Sequence, residues 1–299
     1  MSTDTTVSYH VAVAETPNAA AMSAKTAHRQ SKAPPLGQHF LRDAEYRARI
    51  VAALPFSAAD VVIEIGAGRG ALTALLAERA RKVLAVELDR ALAEQLRQDF
   101  SGQAGVEIVC GDVLSVDLAA LCRREGVAQA WVFGNLPYYI TSPILHHLFA
   151  QRRSIRGMAL LMQREVAERL TALPGTRDYG YLSVATQLFT EPHLAFAVPA
   201  GAFSPAPKVQ SELVTFKLPS RFETWPEEVC EEFLAFVKCA FARKRKNLLN
   251  NLGSAYARTA IMEALEAANL PGSARAEQIS LEGLGALFHQ LHRGGAETP

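Results

Sequence analysis

The sequence predicts an α/β fold: a mostly parallel sheet followed by a small all-helical domain. Three observations carry this. From residue 61 short β-branched runs alternate with amphipathic stretches, in the order VVIEI, ALTALLAERA, KVLAVEL, RALAEQLRQDF, VEIVCGD, AWVFGN, as right-handed βαβ units require. Glycines, acids and an Asn-Leu-Pro-Tyr run fall just after the apolar runs, at the end of a parallel sheet where ligands bind. Beyond Pro219 the strand signals stop, and EEVCEEFLAFVKCAFARKRKNLLNNL, TAIMEALEAANL and SLEGLGALFHQLH carry apolar residues at helical spacing.

Ahead of the sheet, residues 1–35 are rich in Ala, Ser and Thr, lack periodicity and close on a Pro-Pro pair, which predicts a disordered tail. A transit peptide fits poorly, because Asp4 and Glu15 lie there and Arg29 is its only arginine. After AWVFGN, the segments GMALLMQ, REVAERL, YLSVATQLF and SELVTFKL continue the pattern as further strands and helices of the same sheet, giving a sheet domain over residues 36–218 and a helical domain over 219–299.

With 299 residues and 49% hydrophobic content the chain can bury a sizeable core. A net charge of +1 leaves any nucleic-acid contact to local clusters of Lys and Arg. The four cysteines form no CxxC pair and no apolar export or membrane segment is evident. Free thiols, a reduced cytoplasmic setting and no membrane partner are therefore expected. His146 and His147 are adjacent and do not share a helix face as metal ligands need. No metal is expected.

After VVIEI comes EIGAGRG, whose Gly66 and Gly68 permit a tight turn and close approach to a ligand. The turn alone suits dinucleotide binding equally. Glu87 ends the next apolar run, about twenty residues on, where a carboxylate can accept both ribose hydroxyls of a nucleoside. Asp112 follows the third run, placed to accept a hydrogen bond from an adenine amine; taken alone it fits a helix N-cap. Together, the glycine turn and the two acids resemble the S-adenosylmethionine site of class I methyltransferases. The LGQHFL segment before the first run fits, by itself, a hydrophobic staple.

NLPY separates methyl transfer from hydride transfer. An exocyclic adenine amine is a poor nucleophile because its lone pair is delocalised into the ring. If the Asn135 side-chain oxygen and the Leu136 carbonyl both accept hydrogen bonds from it, they favour a pyramidal nitrogen whose lone pair can point at a methyl group. Pro137 fixes the backbone that aims the carbonyl. The Tyr138 ring can stack on a base taken out of its stack and stabilise positive charge on nitrogen.

LGQHFL, VIEIGAGRGALT, VLAVELDR, GDVL, FGNLPYYITSPILHHL, MQREVAERL, YGYLSV, FSPAPKVQSELV and FARKRKNLLNNL resemble, in order, the motifs of the ribosomal RNA adenine dimethyltransferases, most closely their bacterial small-subunit type. The resemblance runs from about Leu36 to about Leu287. It implies a Rossmann-like class I methyltransferase fold and transfer of two methyls from S-adenosylmethionine to N6 of each of two adjacent adenosines, in a hairpin near the 3′ end of small-subunit rRNA. It also implies cofactor contacts by His39, Leu41, Gly66, Gly68, Glu87, Asp112 and Asn135. Phe203 becomes a second aromatic wall facing Tyr138, in a loop stiffened by Pro205 and Pro207, with Lys208 on a phosphate. His39 and Tyr139 stand where many relatives have Asn, Ala67 where Pro is common, and Tyr181 where Arg is common.

Arg243, Lys244, Arg245 and Lys246 form a basic run, with Glu227, Glu228, Glu231 and Glu232 segregated upstream. Phosphate binding suits this run better than a solvated helix end. Arg152, Arg153 and Arg156 extend that basic surface beside the site. Recognition of rRNA shape in an assembling subunit by a monomeric protein is the expectation. The alternatives are a large-subunit methyltransferase of macrolide-resistance type and a non-catalytic assembly factor. A DNA adenine methyltransferase with an Asp-Pro-Pro-Tyr site and a NAD-dependent dehydrogenase fit less well.

Overall fold

The structure, a computed structural model, describes residues 38–220, 222 and 225–293. The expected tail over residues 1–35 and the Leu36 and Gly37 start of LGQHFL lie outside the described residues. The chain order is β1 (Phe40–Leu41), α1 (Ala44–Ala52), β2 (Val61–Ile65), α2 (Ala71–Ala77), β3 (Lys82–Glu87), α3 (Arg90–Asp99), β4 (Val106–Cys110), α4 (Leu118–Arg124), β5 (Ala130–Asn135) and α5 (Thr141–Ala150). It continues with β6 (Ile155–Gln163), α6 (Arg164–Thr171), α7 (Tyr181–Phe189), β7 (Glu191–Val198), β8 (Phe203–Ser204) and β9 (Ser211–Lys217).

Among the described residues, seven strands form one sheet in the order β4-β3-β2-β5-β6-β9-β7. The first five are mutually parallel, while β9 runs antiparallel to both β6 and β7. The sheet is thus the mostly parallel one expected. Strand β7 lacks a clean apolar alternation because it is an edge strand, carrying Pro192 and largely exposed side chains. The central strands read instead as unbroken apolar runs because helices cover both faces: VVIEI of β2 is buried at every position. Asp43 and Asp89 start α1 and α3 by accepting hydrogen bonds from the first backbone N–H groups of each helix.

The sequence order reverses between β2 and β5, which pair directly, Ile65 opposite Gly134. That reversal opens a crevice at the carboxyl ends of these two strands. Separately, β1 pairs antiparallel with β8, Leu41 opposite Phe203, and so fastens the segment before α1 to the loop before β9.

Past Pro219 lie α8 (Glu227–Ala240), α9 (Leu248–Leu252), α10 (Arg258–Ala267) and α11 (Leu281–Arg293). Phe233, Phe236, Val237, Leu284 and Phe288 from these helices are buried in one apolar cluster with Val184 and Leu188 of α7. At the far end, Arg152 donates to both carboxylate oxygens of Glu227, the Nη1–Oε1 distance being 2.9 Å, and lies over the Phe189 ring.

Candidate active site

The turn after β2 is built for close approach. Gly66 and Gly68 have φ of +72° and +59°, a region other residues avoid. A Cβ on Gly66 would meet the Asn135 carbonyl oxygen at 3.4 Å, and one on Gly68 the Phe40 ring at 3.1 Å. Buried Glu87 at the end of β3 orients this turn: its two oxygens accept from the backbone N–H of Gly68 at 2.7 Å and of Asp89 at 2.9 Å. Asp112 accepts from Leu114 N–H at 2.9 Å, so it does cap a short helical turn. It lines the crevice as well.

The wall opposite is NLPY. Asn135 Nδ2 donates to the His39 carbonyl at 2.9 Å, which commits its nitrogen and leaves Oδ1 to the crevice. Leu136 N–H donates to Leu161 O, and its side chain is buried in the core. Among the described residues the Leu136 carbonyl accepts no hydrogen bond. The Pro137 carbonyl is taken by Ile140 N–H and Thr141 Oγ1. Tyr138 is half-buried, its hydroxyl 2.7 Å from Ser211 Oγ and its ring stacked on His39 at 5.5 Å. Burial pushes the Tyr138 phenol above its ordinary range, so it stays protonated.

The crevice so formed, with the open solvent at its mouth, takes in about 790 Å³. Among the residues lining it are His39, Gly66, Gly68, Glu87, Asp112, Asn135, Leu136, Pro137 and Tyr138. The side chains of two expected contributors turn away from the crevice. Leu41 and Phe203 pair across β1 and β8 and are 5% and 4% exposed within the core, because a two-strand clamp turns both side chains inward. The neighbour of the Tyr138 ring is His39, and the FSPAPKVQS loop reaches the site through Ser211 and through Pro205, whose carbonyl lies 2.7 Å from His39 Nδ1. Lys208 is exposed on the same loop, outside the crevice lining.

Sequence reasoning passed over Gln38, Phe40, Leu88, Val113, Ile140 and Ile144, which also line the crevice. Leu88 and Val113 directly follow the two acids at the strand ends, which is the signal that could have found them. Glu64 went unremarked too. It is buried on β2, accepts from Thr73 Oγ1 at 2.6 Å, and is pushed up to about 8, first by burial and then by the Glu87 charge, against the Thr73 hydrogen bond.

Arg243 to Lys246 occupy the turn between α8 and α9, all exposed. Lys244 donates to the Arg177 carbonyl at 2.7 Å. Arg152, Arg153 and Arg156 do not extend this surface. They precede or begin β6, hence lie at the end of the parallel sheet opposite the crevice, and are engaged there with Glu227 or, for Arg156, with Asp60 at 3.0 Å. Among the described residues no cluster of His, Cys, Asp and Glu could hold a metal ion, and no helix is long and apolar enough to cross a membrane.

A doubly wound sheet with a glycine turn, a buried acid at the neighbouring strand end and an NLPY wall at the switch point defines a nucleoside-cofactor methyltransferase. The family model described as ribosomal RNA adenine dimethylase matches residues 29–291, and the chain belongs to that family. It is 41% identical over 283 residues to the ribosomal RNA small subunit methyltransferase A of Koribacter versatilis (strain Ellin345), covering 91% of this chain and 99% of that one. The crystal structure of the 23S rRNA methyltransferase ErmE superposes with a TM-score of 0.67 at 29% identity, covering 85% of this chain and 99% of that one. That of a dimethyladenosine transferase from Plasmodium falciparum gives a TM-score of 0.74 at 23% identity, covering 86% and 98%, a likeness of fold. The chain is accordingly an S-adenosylmethionine-dependent enzyme.

Proposed function

We propose that this enzyme N6,N6-dimethylates two adjacent adenosines in the 3′-terminal hairpin of small-subunit (16S) rRNA, using S-adenosylmethionine. The observation that carries the reading is Asn135. Its Nδ2 donates to His39 O, which turns Oδ1 away from that partner, and the Leu136 carbonyl accepts no hydrogen bond among the described residues, giving two acceptors with which an amine can be held.

The residues present fit the cofactor. The two left-handed glycines leave backbone against which an adenosyl group can lie, Glu87 is preoriented by two N–H groups for ribose hydroxyls, and Asp112 keeps one carboxylate oxygen for an adenine amine. S-adenosylmethionine, when bound, supplies an electrophilic methyl group on a sulfonium. Asn135 Oδ1 and Leu136 O accept the two N6 hydrogens of the target adenine and turn the nitrogen lone pair toward that methyl. His39 backs one face of Tyr138, whose other face receives the base and disperses positive charge growing on N6. Loss of one N6 proton to solvent restores a neutral secondary amine, whose remaining hydrogen one of the two acceptors can hold for the second transfer.

Residues 219–299 act in this reading as an RNA-recognition domain, with the exposed run Arg243 to Lys246 and Lys208 on phosphates. The enzyme acts as a monomer in the cytoplasm on an assembling subunit. The small-subunit reading is preferred to the ErmE-like one because the relatives at 41–44% identity are named for the small subunit.

The test is to incubate the protein and labelled S-adenosylmethionine with under-methylated small subunits, with naked small-subunit rRNA and with large subunits, then map dimethyladenosine. Label in the 3′-terminal hairpin is expected. No label anywhere refutes catalysis, and label confined to large subunits selects the alternative.

A further inference from the structure

Tyr139 is 59% exposed at the crevice mouth, and no described residue forms a ring contact or hydrogen bond with its side chain. It opens an exposed strip along α5. Ser142, Pro143, His146 and Ala150 continue it at helical spacing, while Thr141, Ile144, Leu145 and Leu148 face inward. The strip carries no acid. From Tyr139 to His146 it runs roughly 10 Å, at 1.5 Å per residue. There the exposed His146 ring meets Tyr181 at the start of α7, centroids 5.9 Å apart and planes tilted 31°. Partial burial pushes the imidazole below its ordinary range, which favours its neutral form. Four residues before Tyr181, Arg177 gives its carbonyl to Lys244, which joins the α6–α7 loop to the basic turn. Asp178 is the exposed acid in that loop, against Arg177, Arg243, Lys244, Arg245 and Lys246.

We infer that this strip, from Tyr139 to the His146–Tyr181 pair, is the bed for the RNA strand leaving the catalytic crevice, one unpaired base resting on the ring pair and the phosphates running on to the Arg177–Lys244 turn. The inference rests on the RNA reading of the site. Its chemistry is that of single-strand binding elsewhere: aromatic faces accept any base, and clustered cations follow the backbone. The occupant is RNA because the strip ends at cations and begins at the crevice that takes the target base.

The test uses the full-length enzyme with under-methylated small subunits and with naked rRNA. His146→Ala and Tyr181→Ala each raise KM for both substrates about tenfold, the size expected for one base–aromatic stack. Turnover at saturation stays within twofold and cofactor affinity is unchanged. Tyr181→Phe and His146→Tyr keep a ring and restore KM to within twofold of wild type. If Tyr181→Ala lowers the melting temperature, the exposed His146→Ala decides alone. Unchanged KM in the alanine variants overturns the inference, as does an equal loss in the ring-preserving ones. A loss on subunits but not on naked rRNA also overturns it and assigns the strip to a ribosomal protein. An inactive wild type would instead sink the functional reading itself, which keeps the two failures apart.

Discussion

The Asn135 side-chain nitrogen donates to the His39 backbone carbonyl over 2.9 Å, joining the NLPY turn to the segment that precedes α1. The bond fixes which end of the amide faces the crevice. The contact uses the His39 backbone, while its imidazole is engaged with Pro205 O and the Tyr138 ring.

In the proposed mechanism, Asn135→Ala removes one of two acceptors that hold the target amine in the transition state. Turnover falls roughly 100-fold or more, while RNA affinity changes by less than threefold. Single-turnover methylation and filter binding on the same preparation check this, and equal losses in both would overturn the role.

Glu87→Gln retains shape and removes the charge that two backbone N–H groups orient. The affinity for S-adenosylmethionine, read by calorimetry, drops about tenfold or more, at roughly 1.5–3 kcal/mol for a charged hydrogen-bonding group. RNA affinity stays constant.

Neutralising Arg243, Lys244, Arg245 and Lys246 to Gln lowers RNA affinity and flattens its salt dependence by up to about 3 in the slope of log K on log salt, at about 0.7 per phosphate contact. Because Lys244 also holds the Arg177 loop, a variant sparing it shows a change of about 2. Cofactor affinity is untouched in either, and a loss there would contradict the assignment.

Arg152→Ala leaves RNA binding alone and destabilises the fold by about 1–2 kcal/mol, since the guanidinium is enclosed by Glu227 and Phe189 although Glu227 remains partly screened by solvent. The Arg152 hydrogen bond holds the Glu227 carboxyl below its ordinary value. This stabilisation is therefore present above the unfolded carboxylate pKa of 4.5 and disappears as pH falls through the lower folded value. Denaturant midpoints of wild type and variant should converge in that acid range.

Glu64 behaves in the opposite sense. Its folded pKa of about 8 lies above the unfolded 4.5, so between these values the folded state holds a proton that the unfolded chain has released. Stability then declines as pH rises through that window. Glu64→Gln keeps the Thr73 partner and removes this slope, which denaturation midpoints at pH 5 and pH 8 will show.

The strand-end residues were legible in the sequence because a parallel sheet carries its ligand groups directly after its apolar runs: Gly66, Glu87, Asp112 and Asn135 each sit where their run stops. The direction of the Leu41 and Phe203 side chains was not legible for an equally physical reason. A motif tells that a segment approaches the site, but whether a side chain points into the crevice or the core depends on the β1–β8 pairing, between residues more than 160 apart in the chain.

By itself, then, the sequence determined the alternation of strands and helices, the glycine turn, the two acids and the NLPY run at their strand ends, since all are local and set by periodicity or side-chain type. Only the tertiary structure decided where the cations lie. Arg152 and Arg156 are near NLPY in sequence, yet α5 carries the chain back to the opposite end of the sheet, while Lys244 reaches the carbonyl of Arg177, 67 residues away, and ties the α8–α9 turn to the α6–α7 loop. Burial and direction are properties of how elements pack, and no run of residues contains them alone.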